Sequence, residues 1–161
     1  MPLPICSGAD EDKLLSIVPG PDFPTGGFIV GNYGINSAYK TGRGIIKIRA
    51  KAEVEGRDIV ITEIPYQVNK TMLIEQIVTA VRDKRLEGIG GLQDLSDKDG
   101  MCVKIEVKRG EDPEVVLQQL FAHTELEKSF GIINLALVDG KPRLLTLFEM
   151  ISEFVKFRKE I

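Results

Sequence analysis

The chain has 161 residues, enough for about one domain with a real hydrophobic core. Apolar residues make up 43% and charged residues 28%, and no apolar run approaches the roughly 18 residues a membrane span needs, which excludes a disordered chain and a helical membrane protein. The net charge of −3 argues against nucleic-acid binding through an overall positive field, so any basic surface must be local.

The first residues, Met1 to Ala9, carry Pro2 and Pro4 and no basic stretch followed by an apolar core, and they read as a frayed end rather than a secretory signal. Cys6 and Cys102 are the only cysteines and lie outside any CxxC spacing, which argues against a disulfide scaffold and a zinc site and points to a reducing cytoplasm.

From Asp10 to Val18 a short helical pattern with Leu14, Leu15 and Val18 runs into Pro19-Gly20-Pro21, which must stop it. Phe28-Ile29-Val30, bounded by Gly26-Gly27 and Gly31, suits a brief strand or a wedge lying close to something. Ile35 to Lys40 forms one or two helical turns ending at Gly42. Arg43 to Glu55 reads as one strand: Ile46, Ile48, Ala50, Ala52 and Val54 point one way, and Arg43, Lys47, Arg49 and Lys51 the other. Gly56 turns it into a second strand, Arg57 to Ile64, ended by Pro65.

Asn69 caps a helix from Lys70 to about Arg85, with Leu73, Ile77, Val81 and then Ile74, Val78 as its apolar stripe. Gly88, Gly90 and Gly91 break it. Leu92 to Ser96 is a further strand, and Asp97-Lys98-Asp99-Gly100 turns the chain into Met101 to Arg109. Asp112 as N-cap and Pro113 at the first helical position open a second helix that carries Val116, Leu117, Leu120 and Phe121 inward. A strand from Ile132 to Val138 turns at Asp139-Gly140 into Pro142 to Leu145. Thr146-Leu147-Phe148-Glu149 is a capping box, and Leu147, Met150, Ile151, Phe154, Phe157 and Ile161 continue a helix without a stop signal, as expected of a truncated protein.

The order strand, strand, helix, strand, strand, helix, strand, strand predicts an α+β fold. Its antiparallel-rich sheet carries helices on one face, with two strand-strand-helix units that resemble a duplication.

No nucleotide cradle of the Gly-x-Gly-x-x-Gly or Gly-x-x-x-x-Gly-Lys type occurs. Asp94, Asp97, Asp99 and Gly100 imitate half of a calcium loop, but a hairpin turn is the better reading of that segment. His123, the only histidine, has no partner for metal or Ser-His chemistry, and Tyr33, Tyr39 and Tyr66 lack an adjacent arginine and read as structural. The basic face of the long strand needs an anionic partner. Cross-strand acids such as Asp58 or Glu63 would make it a solvated, salt-bridged face, and a polyanion would make it a phosphate-binding surface.

Four segments decide between broader readings: Gly20-Pro-Asp-Phe-Pro-Thr-Gly-Gly27, Tyr39-Lys-Thr-Gly-Arg-Gly44, Ile48-Arg-Ala-Lys-Ala-Glu53 and Thr62-Glu-Ile-Pro-Tyr-Gln-Val-Asn-Lys70. In that order, followed by Asp97 to Met101, Ser129-Phe-Gly131 and Ala136 to Pro142, they closely resemble the A subunits of the type II DNA topoisomerases gyrase and topoisomerase IV, from about Asp10 onward. Gln67-Val68-Asn69 and Ser129-Phe-Gly131 are more like gyrase.

The resemblance implies a tail with a short helix over residues 1–20, a tower-like α+β domain over 21–145 and the root of a coiled-coil arm over 146–161. It implies a share in a DNA topoisomerase that cuts both strands and, as gyrase, supercoils DNA. The tyrosine motif that does the cutting is missing, so the chain alone is expected to be inactive. Magnesium and ATP are expected on a partner B subunit, with none in this chain. The implied partners are double-stranded DNA, the gyrase B subunit, and, in an A2B2 assembly, a second copy of the A subunit. The expected location is the cytoplasm or an organelle.

In the resemblance, family members insert an isoleucine immediately after a Pro-Thr-Gly-Gly or Pro-Thr-Ala-Ala element between base pairs, and the matching residue is Phe28, a different but still wedge-like apolar side chain. Its alternative is a strand residue buried against the tower. Arg43, Lys47, Arg49 and Lys51 become candidates for phosphate contacts, each adding about one unit to the salt slope. The rival to this reading is a non-catalytic interaction module or gene remnant with no DNA function.

Overall fold

The computed structural model describes residues 11–161. The end segment Met1 to Ala9, with Pro2, Pro4 and Cys6, and the first residue of the expected helix, Asp10, lie outside the described residues. The described chain is α+β and divides into two compact units, one made of residues 23–30 and 47–128, the other of 11–22, 31–46 and 129–161.

The unit of residues 47–128 is built on a four-stranded antiparallel sheet. Its strands are β3 (Lys51–Glu55), β4 (Asp58–Glu63), β5 (Ile89–Asp94) and β6 (Val103–Val107), in spatial order β3-β4-β6-β5. The helices α3 (Lys70–Arg82) and α4 (Pro113–His123) each follow a hairpin, so the order is two successive strand-strand-helix units. The second strands of the two units, β4 and β6, pair at the centre with Ile59 opposite Ile105. That arrangement relates the two halves by an approximate twofold in topology, as a duplication would.

Period-two burial follows from the pairing. Ile59, Ile61, Val103, Ile105 and Val107 point into one core with Leu73, Ile77 and Ala80 of α3 and Val116, Leu117 and Leu120 of α4. On the opposite face Lys104 pairs with Asp58 at 2.9 Å.

Both helices start where their caps dictate. The Asn69 side chain accepts the Met72 N–H and that of Asp112 accepts the Glu114 N–H, with Pro113 at the first turn. The α3 stripe is narrower than its apolar spacing implies: Val78 is exposed, and Ala80 takes the buried place beside Leu73 and Ile77. The helix ends at Arg82 rather than Arg85, because Lys84 takes a left-handed φ of 57°.

β5 begins at Ile89, earlier than Leu92, since Gly90 and Gly91 are accommodated at a sheet edge by a register shift between Ile89 and Gly91. Asp97 to Gly100 closes as a hairpin turn bridged between its own ends, with the Leu95 N–H donating to the Cys102 carbonyl.

The other unit contains α1 (Glu11–Ile17) and α2 (Tyr33–Thr41), the hairpin of β8 (Leu135–Val138) with β9 (Lys141–Leu144), and α5 (Leu147–Glu160). Leu14, Ile35, Ala38, Tyr39, Ile46 and Leu145 are its buried apolar side chains. Gly42, at φ 81°, ends α2 in the left-handed conformation. Asn134 then ties the unit together: its amide side chain donates to the Ala38 carbonyl and its backbone N–H to that of Gly42. Because Asn134 turns aside to make those bonds, the strand expected from Ile132 to Val138 is broken there. Its first part belongs to β7 (Glu127–Ile133) and its second is β8. The β8-β9 turn places Asp139 and Gly140 at φ 50° and 75°, the pattern of a two-residue hairpin loop. Thr146 and Glu149 form the capping box of α5.

Candidate nucleic-acid interface

The expected strand Arg43 to Glu55 is two strands, β2 (Arg43–Arg49) and β3, in two different sheets. The break falls at Ala50, a buried residue whose N–H donates to the Leu126 carbonyl at 2.7 Å. From the next residue, Lys51, the chain pairs with β4 instead. The period-two pattern runs unbroken through the junction, which is why spacing alone misses it.

The break redistributes the basic residues. β1 (Phe28–Val30) pairs antiparallel with the end of β2, setting Phe28 opposite Arg49 and Val30 opposite Lys47. Cross-strand partners share a face, so two apolar and two cationic side chains stand together. Lys51 belongs to β3, opposite Glu63. Arg43 lies at the start of β2, in the other unit, where its carbonyl accepts from Ser37 and Thr41.

Phe28 is 56% exposed, which rules out the alternative that it is buried in this chain. Val30 is also exposed, while Ile29 between them is half-buried. A phenylalanine that leaves most of its surface in water gains little from burial on folding.

The approach to Phe28 is tightly constrained. Gly26 and Gly27 have φ of 71° and 88°, which side-chain-bearing residues rarely adopt. A Cβ on Gly27 would lie 2.9 Å from the Arg49 carbonyl oxygen. The Gly27 N–H donates to the Glu63 carboxylate at 2.6 Å, and Phe23 stacks on Tyr66 with ring centroids 5.5 Å apart.

The acid that relieves the basic strand is neither Asp58 nor Glu63, but Glu127 at the start of β7. Arg49 donates to it from Nε and from a terminal nitrogen, and Lys47 Nζ lies 3.4 Å from its other oxygen. Arg49 also lies over the ring of Phe121 at 4.5 Å from its centroid. Burial acts to raise the Glu127 pKa, but the hydrogen bond and charge of Arg49, and after them those of Lys47, outweigh it and hold the group below its usual range. Glu127 has no motif around it, and nothing in the sequence singles it out from the neighbouring acid Glu125. Arg43 and Lys51 make no ion pair among the described residues.

Of the three tyrosines, two pack. Tyr39 is buried, with its phenol pKa raised by that burial and then by the Asp22 charge, and Tyr66 stacks on Phe23. Tyr33, expected to be structural, is instead 88% exposed at the start of α2. Among the described residues no group of His, Cys, Asp and Glu is placed to hold a metal ion, and no helix is long and apolar enough to cross a membrane.

Residues 5–161 match the protein family described as the A subunit of DNA gyrase/topoisomerase IV. The chain is 55% identical over 157 residues to the DNA gyrase A subunit of Pseudomonas aeruginosa, covering 93% of this chain and 17% of that protein. It is 52% identical over 162 residues to the DNA gyrase A subunit of Escherichia coli, covering 94% and 18%. To the probable chloroplastic/mitochondrial DNA gyrase A subunit of Oryza sativa subsp. japonica it is 50% identical over 157 residues, covering 93% and 17%. The chain thus spans under a fifth of the length of each of these relatives. With one family covering nearly all of its residues, the chain belongs to the A-subunit family of DNA gyrase and topoisomerase IV.

Proposed function

We propose that this chain contributes a DNA-holding and DNA-bending surface to the A subunit of a type II DNA topoisomerase of the gyrase kind. Phe28 acts as an apolar wedge at a base-pair step, and Lys47, Arg49, Lys51 and Arg43 contact flanking phosphates. The carrying observation is an exposed phenylalanine directly opposite Arg49, presented by a turn whose two glycines both take left-handed φ. A wedge unstacks a step and bends the duplex, while cations position the backbone without reading sequence.

The complete assembly in this proposal is A2B2 and works in the cytoplasm, with magnesium and ATP held by the B subunit. Residues 21–145 act as the tower-like domain and 146–161 as the root of the coiled-coil arm. The apolar residues Met150, Phe154 and Phe157, left exposed along α5, support that last role. The chain by itself cuts no DNA, a reading supported by the burial or stacking of two of its tyrosines and the absence of an arginine beside any of them.

The test places variants in the assembled enzyme containing this segment and measures bending of an end-labelled duplex by energy transfer across a salt series. Phe28→Ala is expected to reduce the bend and keep the salt slope. Lys47→Ala and Arg49→Ala should each lower the slope by about one unit. Unchanged bending in Phe28→Ala together with an unchanged slope in both cation variants would leave the segment without a DNA role and favour a plain interaction module. A covalent protein-DNA product, formed when the chain alone is mixed with supercoiled DNA and the B subunit, would overturn its catalytic silence.

A further inference from the structure

One carboxylate at the head of β7 serves two cations. Glu127 Oε2 accepts from Arg49 Nε at 2.8 Å and from a terminal guanidinium nitrogen, while Glu127 Oε1 lies 3.4 Å from Lys47 Nζ. A guanidinium and an ammonium converging on two acid oxygens are also the donors that the two free oxygens of a phosphodiester accept. The two cations are held unequally. Arg49 has two bonds to the carboxylate, lies over the Phe121 ring and has a side chain 33% exposed, whereas Lys47 has one long contact and is 61% exposed. Lys47 is therefore the first to exchange one oxyanion for another. Glu125, two residues earlier, is engaged elsewhere, with Lys128 at 3.0 Å and the Gln76 amide at 3.2 Å.

We propose that Glu127 stands in for a DNA phosphate: it holds Lys47 and Arg49 in the free protein and gives way to the phosphodiester backbone when DNA binds, so that it sets the affinity of this surface. This rests on the reading of Lys47 and Arg49 as phosphate contacts and is independent of Phe28. Each cation that leaves Glu127 forfeits a charge-assisted bond, and that loss is subtracted from what the phosphate contact contributes. Neutralising the acid while keeping its shape therefore acts in opposite directions on the two states: Glu127→Gln loosens the hold on Arg49 and tightens DNA binding. A carboxylate that only positioned the cations would do the reverse, weakening DNA binding when neutralised. One that acted only through the overall field would be matched by Glu125→Gln, which removes the same charge two residues away.

Two readouts keep this inference distinct from the phosphate-contact reading. Proton exchange at Arg49 Nε, followed by NMR on the 161-residue chain, reports the clamp without DNA: Glu127→Gln should speed it severalfold and Glu125→Gln should not. Duplex binding by the assembled enzyme, measured across a salt series, reports the competition. Glu127→Gln should bind about threefold tighter or more, and Glu125→Gln clearly less. In a Lys47→Ala background much of the Glu127→Gln gain should vanish, since the cation it frees is gone. Equal tightening by Glu127→Gln and Glu125→Gln overturns the proposal, as do weaker binding by Glu127→Gln and unchanged Arg49 Nε exchange in that variant. Should Lys47→Ala and Arg49→Ala both leave the salt slope at the parent value, the phosphate-contact reading fails and the stand-in role with it, while the exchange data still report the clamp.

Discussion

Arg49 and Glu127, 78 residues apart in sequence, meet in a forked contact: the guanidinium donates to one carboxylate oxygen from Nε at 2.8 Å and from a terminal nitrogen at 2.5 Å. The Glu127 side chain is 16% exposed, so solvent screens this pair less than a surface salt bridge. Its carboxyl titrates below the usual range in the folded state. A depressed carboxylate pKa gives stability that is fully present above the unfolded pKa and disappears as pH falls through the folded one. The unfolding midpoint should therefore decline as pH drops below the ordinary glutamate range, and the Glu127→Gln variant should show a flatter curve in that window. Glu127→Ala should cost about 1.5–3 kcal/mol at neutral pH in urea unfolding, because it leaves the part-buried Arg49 guanidinium without its carboxylate. Parallel pH curves for the parent and Glu127→Gln would show that the carboxylate carries no linked stability.

The centre of the larger sheet offers a sharper test of packing. Ile59 and Ile105 stand opposite each other on β4 and β6, both fully buried. Ile105→Ala should cost about 2–5 kcal/mol, whereas the exposed Ile45→Ala should stay within about 0.5 kcal/mol. The double variant Ile59→Ala/Ile105→Ala should fall short of the sum of the singles, since both open one cavity. Strict additivity in the urea midpoints would mean that the two side chains do not share a packing site.

What the sequence made legible was local. The caps at Asn69, Asp112 and Thr146 act within three residues, and all three hold as read. The two strand-strand-helix units followed from periodicity, and so did the α+β class. What escaped depends on partners remote in the chain. The break at Ala50 is where its N–H bonds to the Leu126 carbonyl, and the counter-charge to Arg49 and Lys47 sits at Glu127, where no alternating apolar residues announce a strand. The candidate surface shows the same division. Phe28 stood out because glycines flank it, but its place opposite Arg49, and the grip of Glu63 on Gly27, exist only once β1 and β4 are in position.

Asp94 owes its acidity to two neighbours that can be removed one at a time. The Lys70 ammonium lies 2.8 Å from its carboxylate, and the Ser96 N–H donates to it at 3.0 Å. The hydrogen bond from Lys70 first, and those from Ser96 after it, hold the Asp94 pKa down at about 2. Because the folded pKa is depressed, the linked stability is present above the unfolded value and fades as pH falls toward about 2. Carboxyl-carbon NMR should place the midpoint there, and Lys70→Met should move it upward by removing the largest cause. An unmoved midpoint in Lys70→Met would assign the depression to the Ser96 turn alone.

Gly34 tests the packing of the smaller unit by the sign of its effect. In an ordinary exposed helix, glycine to alanine stabilises by about 0.5–1 kcal/mol, because alanine loses less backbone entropy on folding. Gly34 lies in the first turn of α2, buried against β2, and a Cβ there would collide with the Ile45 carbonyl oxygen, a backbone atom that cannot swing aside. The helix would have to lift from the strand, and overpacking of that kind costs about 1–3 kcal/mol, enough to reverse the entropic gain. Gly34→Ala should therefore lower the thermal midpoint. Gly131→Ala, where a Cβ meets nothing within 4 Å, should not. A raised midpoint in Gly34→Ala would mean that α2 does not approach β2 as closely as its glycine permits.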